Sequence, residues 1–312
     1  MGYANIGGLS FLNQAAYQTL FMESYDAATA KAEPILSAYS DLYTEVSDTD
    51  PVVYDSYLSS APSMRPMRAS HPMTGRAEQG LTLTKQPYKA EVTIGREQLE
   101  ATNGAILFQK TLDALAMKAS RFKANLIMDL IMNNGICHDG GTYFNAAHVF
   151  MGSGNQSNTA TTAFAAGAGY ATELPNFSQI ADSEGAALGL MPDVILFNPT
   201  LYPAGITYFN PNRVAFSDAG MASAGRMFTP QAKIAPILAT PYNTPSATSW
   251  YMLNSGVGAV KPFIIYETAA PKIEVTSPDG DLWKVAHECM IVVSWNGVAS
   301  YGFWPLSYRA NV

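Results

Sequence analysis

Cysteine is nearly missing: 312 residues contain only Cys137 and Cys289, with no CxxC pair and no ladder of spacings, so there is no disulfide framework and a reducing compartment is expected. Charge is scarce as well. Asp, Glu, Lys and Arg make up 14% of the chain, against about 25% in an ordinary soluble domain. Gly, Ser, Thr and Asn are plentiful, a composition suited to a surface that faces other protein. Cations are absent from Asn125 to Asn212, so the broad basic stripe of a nucleic-acid-binding domain is missing and sequence-specific DNA or RNA recognition is not expected. No apolar run approaches the roughly 18 residues that cross a bilayer. The first basic residue is Lys31, so the N-terminus lacks the charged region of a secretory signal, and a soluble chain made in the cytoplasm is expected.

The motifs of catalysis are lacking too. No GxGxxG follows a strand, and neither GxxxxGK[ST] nor a GxSxG elbow occurs. His138, Asp139 and His148 form the one sequence-local group of metal-ligand types, but their spacing across a glycine turn matches neither HExxH nor a zinc finger. A turn Asp and a strand His account for them without an ion. His287 beside Glu288 and Cys289 could suggest a nucleophile and base, yet adjacent residues of a strand face opposite sides of a sheet, so no such pair is expected from these neighbours. The sequence therefore offers no catalytic, cofactor-binding or metal residue.

What the chain does have is a helix of unusual length. Phe108, Leu112, Leu115, Ala119, Phe122, Leu126 and Leu130 recur every three or four residues, which predicts one apolar stripe on a helix from Asn103 to Asn134. Asn103 is placed to cap its start and Gly135 to stop it. At about 1.5 Å per residue it would span on the order of 45 Å. Charge is also partitioned ahead of it. Residues 1–60 hold eight acids and one base, whereas 61–96 carry Arg65, Arg68, Arg76, Lys85, Lys89 and Arg96 against Glu78 and Glu91.

The remaining elements follow from period and punctuation. Residues 9–31 and 35–43 read as one or two helices of an N-terminal arm, and Val52–Tyr57 as a short strand. Leu81–Thr84 and Tyr88–Ile94 alternate with period two, a ribbon with one buried face that must lean on something, a neighbouring subunit being one candidate. Residues 151–172 read as a loop or mobile hairpin and Asn176–Leu190 as a helix capped by Asn176 or Ser178. Val194–Phe197 reads as a buried strand and Pro203–Phe209 as a helix start. Strands are predicted at Trp250–Leu253, Phe263–Tyr266, Ile273–Thr276, Trp283–Ala286, Met290–Trp295 and Tyr301–Trp304.

Five segments taken in order resemble the major head subunit of Mu-like phages and prophages, a branch of the Hong Kong 97 type capsid fold. They are APSMRPMRASHPMTGRAEQ, LTLTKQPYKAEVTIGREQLE, LIMNNGICHDGGTYFNAAHVF, MPDVILFNPTLY and WNGVASYGFWPLSYRAN, spread over about residues 60–310. The resemblance implies an α+β capsid fold: an N-terminal arm (1–55), an extended β-hairpin loop (56–100), a peripheral domain with a spine helix (101–176), an axial domain (177–262) and C-terminal strands returning to the peripheral domain (263–312). It implies no enzyme. The chain would self-assemble as hexamers and pentamers into an icosahedral head around non-specifically enclosed DNA, with scaffold, portal and decoration proteins as possible partners. The charge partition suggests contacts between subunits, with Arg65, Arg68, Arg76, Lys85 and Lys89 of one copy facing Glu45, Asp48 and Asp50 of another. Two rival readings stand beside it: an encapsulin-like nanocompartment shell of the same fold, and a metal-dependent hydrolase using His138, Asp139 and His148.

Overall fold

The computed structural model describes residues 5–6, 9–10, 14–31, 33–58, 78–149, 154–182, 185–209, 232–256, 260–276 and 282–311. Arg65, Arg68 and Arg76 lie outside the described residues, as does the stretch between Asn210 and Gln231. A two-residue pair, β1 (Asn5–Ile6) with β2 (Leu9–Ser10), precedes helices α1 (Gln14–Lys31) and α2 (Glu33–Ser40). Strands β3 (Tyr43–Ser47), β4 (Val52–Leu58), β5 (Glu78–Thr84) and β6 (Gln86–Gly95) follow, then a single turn of helix, α3 (Arg96–Glu100). The long helix is α4 (Gly104–Asn133), 30 residues as expected from its period.

Its ends differ in detail from expectation. Asn103 occupies the cap position, but its side chain makes no capping hydrogen bond, and the left-handed residue that stops the helix is Asn134 (φ 48°), not Gly135. The reason is chemical: Asn134 donates from Nδ2 to the Phe144 carbonyl (3.0 Å) and accepts the Phe144 amide at Oδ1 (2.6 Å), bonds a glycine could not make.

Beyond α4 come β7 (His148–Val149), β8 (Asn155–Gln156), β9 (Thr159–Ala160), α5 (Ala168–Ser178), β10 (Val194–Phe197) and α6 (Tyr202–Phe209). The chain closes with β11 (Lys233–Pro236), β12 (Trp250–Leu253), β13 (Phe263–Val275), β14 (Glu288–Tyr301) and β15 (Ser307–Ala310). Two larger sheets result. A five-stranded mixed sheet runs β11-β10-β12-β15-β9 and a four-stranded one β3-β13-β14-β6, while β4 and β5 form a separate two-stranded ribbon.

This pairing changes the expected ribbon. β5 pairs with β4 and β6 with β14, because the single residue between β5 and β6, Lys85, leaves no room for a reversing turn. β6 therefore finds its support inside its own chain, where Tyr88, Val92 and Ile94 of its alternating set are wholly or partly buried, whereas Ala90 of the same set is exposed.

Two hydrophobic cores share α4. Its first half contributes Phe108, Leu112, Leu115 and Ala116 to a core with Tyr17 and Phe21 of α1 and Ile273, Ile291 and Val293 of the four-stranded sheet. Its second half contributes Ala124, Ile127, Met128 and Ile131 to the larger core around Tyr39, Tyr143, Phe197 and Trp250. The expected stripe is thus right for Phe108, Leu112 and Leu115 and then turns: Ala119, Phe122, Leu126 and Leu130 are only partly buried, because the helix changes partners between the two cores.

Other departures have local causes. The helix expected over Asn176–Leu190 is displaced to α5, which starts inside the segment read as a loop and buries Tyr170, Glu173 and Phe177. It stops after Ser178, and Gly185 and Gly189 then take φ of 80° and 62° around an Ala181–Ala187 bridge. The two strands expected at Phe263–Tyr266 and Ile273–Thr276 are one, β13. Its ladder with β14 slips between Glu267 and Lys272, skipping Pro271, which has no amide hydrogen to offer. The strand expected at Trp283–Ala286 is a π-helical turn, and His287 (φ 54°) reverses the chain into β14. Tyr301 ends β14, whereas Trp304 opens a 3-10 turn with Pro305.

Candidate functional site

The ribbon β4–β5 is a surface built to meet something. Its seven residue pairs run from Val52↔Thr84 to Leu58↔Glu78. Val53 and Asp55 face inward and are buried, whereas Val52 and Tyr54 are 50% and 61% exposed. Gly80 makes room for the Tyr54 ring, since a Cβ there would stand 2.1 Å from Tyr54 Oη. The ribbon is fastened at its root and midway along its length. The Lys85 ammonium donates to the Asp48 carbonyl (2.5 Å), the Lys85 amide to the Pro51 carbonyl (3.0 Å), and His138 Nε2 lies 3.1 Å from Asp55 Oδ2 with both side chains buried.

These contacts sort the charged residues singled out from sequence. Lys85 is buried against Asp48 of its own chain, so the structure places it inside the subunit and not at its surface. Glu45 Oε1 lies 2.7 Å from Lys123 Nζ. Lys89 and Glu91 form an exposed pair at 3.1 Å, and Asp50 is exposed, its amide donating to Asp48 Oδ1.

Lys123 is the residue sequence reading undervalued. Lying off the apolar stripe, it reads as solvated. Instead its Nζ also lies 3.0 Å from Glu267 Oε2, which accepts the Trp295 indole N–H at 2.8 Å. Burial alone would lower the Lys123 pKa, but the hydrogen bonds to Glu45 and Glu267 outweigh it and raise it. Burial alone would raise Glu267, and the bonds from Trp295 and Lys123 lower it. The network ties α4 to β3 and β13 at the junction of the two cores.

The glycine turn after α4 separates the predicted ligand trio. His148 Nδ1 lies 2.6 Å from Asp139 Oδ2, but His138 is drawn away to Asp55, and Cys137 takes its place with Sγ 2.8 Å from Asp139 Oδ1. His148 is fully buried, stacked on the Trp304 ring at 4.0 Å and 6°. Burial raises the Cys137 thiol pKa. Burial would also raise that of Asp139, but the bonds from His148 and Cys137 hold it at about 2. The Cys289 thiol is pushed up to about 11 by burial among apolar side chains. The hydrolase constellation of two histidines and Asp139 is therefore not assembled.

A groove of about 420 Å³ runs beside α4, lined by Tyr88, Met117, Phe122, Leu126, Tyr242 and Trp295. It is open and mostly apolar, with Lys89, Lys118, Arg121 and Asp129 also among its lining residues.

A long helix bracing two cores, two mixed sheets and a ribbon that packs one face on the body and exposes the other define a shell-forming subunit of the Hong Kong 97 type. A family model described as phage capsid protein matches residues 80–301, more than half of the chain, and the chain belongs to the phage capsid protein family. It is a structural major capsid protein, located in the virion, whose copies build the icosahedral head. No curated protein sequence matches the chain. Among solved structures, the procapsid of bacteriophage JBD30 is similar at 17% identity and a TM-score of 0.52, covering 95% of this chain and 73% of that one. The capsid of an empty GTA particle is similar at 13% identity and a TM-score of 0.52, covering 88% of each chain. The capsid of the native GTA particle gives 11% and 0.50, covering 88% of this chain and 89% of that one.

Proposed function

We propose that this subunit works by assembly alone, without catalysis, closing as hexamers and pentamers around DNA that it encloses without reading sequence. The observation that carries this is the ribbon: two strands cannot stabilise an exposed apolar face in water, so Val52 and Tyr54 need the body of an adjacent copy. On this reading residues 1–55 are the arm, 56–100 the extended loop, 101–176 the peripheral domain, 177–262 the axial domain and 263–312 the returning strands. The lack of cations from Asn125 to Asn212 fits passive enclosure of the genome. Scaffold, portal and decoration proteins are its partners during and after assembly, and synthesis is in the host cytoplasm.

With Lys85 committed internally, the contact between copies rests on Arg65, Arg68, Arg76 and Lys89 facing Asp50 and the neighbouring acids of the arm. Such pairs set register and association rate more than affinity. Electron microscopy of the purified chain tests the proposal: closed shells are expected, and reversal of Arg65, Arg68 and Arg76 to Glu should abolish or misdirect them. Normal shells from the reversed chain would remove the charge contact. Particles from infected or expressing cells that hold a protein cargo and no nucleic acid would replace genome enclosure with a nanocompartment role.

A further inference from the structure

We propose that Cys137, Asp139 and His148 bind one divalent metal ion of the zinc type, which pins the turn after α4 to β7. This goes beyond the shell reading and does not depend on it. The Cys137 sulfur, an Asp139 oxygen and a His148 ring nitrogen all lie within 4.8 Å of one another. All three side chains are nearly or fully removed from solvent.

Each donor is aimed by a group outside the trio. His148 Nε2 faces the Tyr143 carbonyl at 3.1 Å, which turns Nδ1 into the cluster, and Trp304 holds the ring flat. A hydrogen bond from the second ring nitrogen to a carbonyl is the usual support of a metal-bound histidine. Asp139 Oδ1 accepts the Gly141 amide at 3.0 Å, which orients the carboxylate. A thiolate with an imidazole and a carboxylate suits zinc and not the all-oxygen preference of calcium or magnesium. Three protein donors leave one tetrahedral position for water.

The exchange balances. Without metal, His148 Nδ1 and Nε2 face Asp139 Oδ2 and the Tyr143 carbonyl, and Cys137 donates its thiol hydrogen to Asp139. On binding, the S–H bond breaks and Nδ1 is left free of hydrogen, metal–sulfur and metal–nitrogen bonds form, and the displaced protons leave to solvent. Thiolate, carboxylate, neutral imidazole and a dication sum to zero charge, so the filled site leaves no net charge buried, which would be costly.

His138 is no part of this set, being held by Asp55 on the ribbon side. The site is therefore one that spacing alone would misassign.

The test is cobalt substitution of the purified full chain together with elemental analysis of the protein as isolated. About one zinc per chain is expected, replaced by Co²⁺ with a thiolate-to-cobalt charge-transfer band. Because the chain has only two cysteines, retention of the band in Cys289→Ala assigns it to Cys137 even if Cys137→Ser fails to fold. Where they fold, Cys137→Ser and His148→Gln should lose the ion and the band, and His138→Gln should keep both. Absence of a charge-transfer band in the wild-type chain overturns the proposal, as does a band lost with Cys289→Ala or an ion held equally well by Cys137→Ser.

Discussion

The Lys123 ammonium lies 3.0 Å from Glu267 Oε2, with only 13% and 8% of the two side chains exposed. Removing the cation leaves a carboxylate stranded between the cores with the Trp295 indole as its remaining described donor besides solvent. Lys123→Met should therefore destabilise the subunit by about 3 kcal/mol, the scale for orphaning one member of a buried pair. The double variant Lys123→Met with Glu267→Gln should recover part of the loss. Urea unfolding of the unassembled chain measures both, and a loss under about 0.5 kcal/mol in the single variant would place the pair in the solvated class.

The same pair gives stability a pH profile of known sign. Glu267 is held below its ordinary value of 4.5, so its contribution is complete above that value and fades as pH falls through the folded one. Lys123 is held above 10.5, so its contribution is complete below that value and fades as pH rises through the folded one. The difference in Tm between wild type and the double variant should be largest between these limits and shrink on both sides. A difference independent of pH would contradict the assignment.

How much of this was legible follows from which forces are local. The 30-residue α4, buried β10 and β12, and the alternation of β6 all carry period signals that tertiary packing reinforced. The turn of the α4 stripe between Ala116 and Ala124 was hidden, because it depends on which sheet each half of the helix meets. The role of Lys123 was hidden for the same reason: Glu45 and Glu267 are remote in sequence. In the glycine turn, residue type grouped His138 with Asp139 and His148, whereas the structure gives His138 to Asp55, 83 residues away, and sets Cys137 beside Asp139. The Asp55 signal was present only as a lone inward acid in an alternating strand.

Tyr301 closes the helix end in a way that single-atom surgery can test. Its hydroxyl accepts the Gly135 amide at 2.6 Å and donates to the Leu130 carbonyl at 2.8 Å, while its ring stacks on Tyr143 at 4.7 Å. Tyr301→Phe keeps the stacking and takes its acceptor from the Gly135 amide, while the Leu130 carbonyl keeps the Asn134 amide at 3.1 Å. The expected cost is about 1–3 kcal/mol, read as a lower urea midpoint at unchanged m-value, with the left-handed Asn134 cap preserved by its own bonds to Phe144. An unchanged midpoint would mean water replaces the hydroxyl without loss.

Tyr54 separates assembly from stability most cleanly. Its ring lies over Gly80 and is largely exposed, so within one subunit it buries little, and Tyr54→Ala should change the Tm of the unassembled chain by no more than about 0.5 kcal/mol in equivalent free energy. If the ring is an anchor on the next copy, the same change should cost about 2 kcal/mol or more per contact and leave the chain unassembled at concentrations where wild type forms shells. Gly80→Val offers a second route to the same end, because its Cβ would stand where Tyr54 Oη and Cζ lie, at 2.1 and 2.2 Å, and must push the ring aside. Sedimentation velocity reports assembly and thermal melting reports the fold. Both variants should shift the first and spare the second. Shells formed by Tyr54→Ala at wild-type yield would show that the ribbon's outer face is not the surface that holds neighbours together.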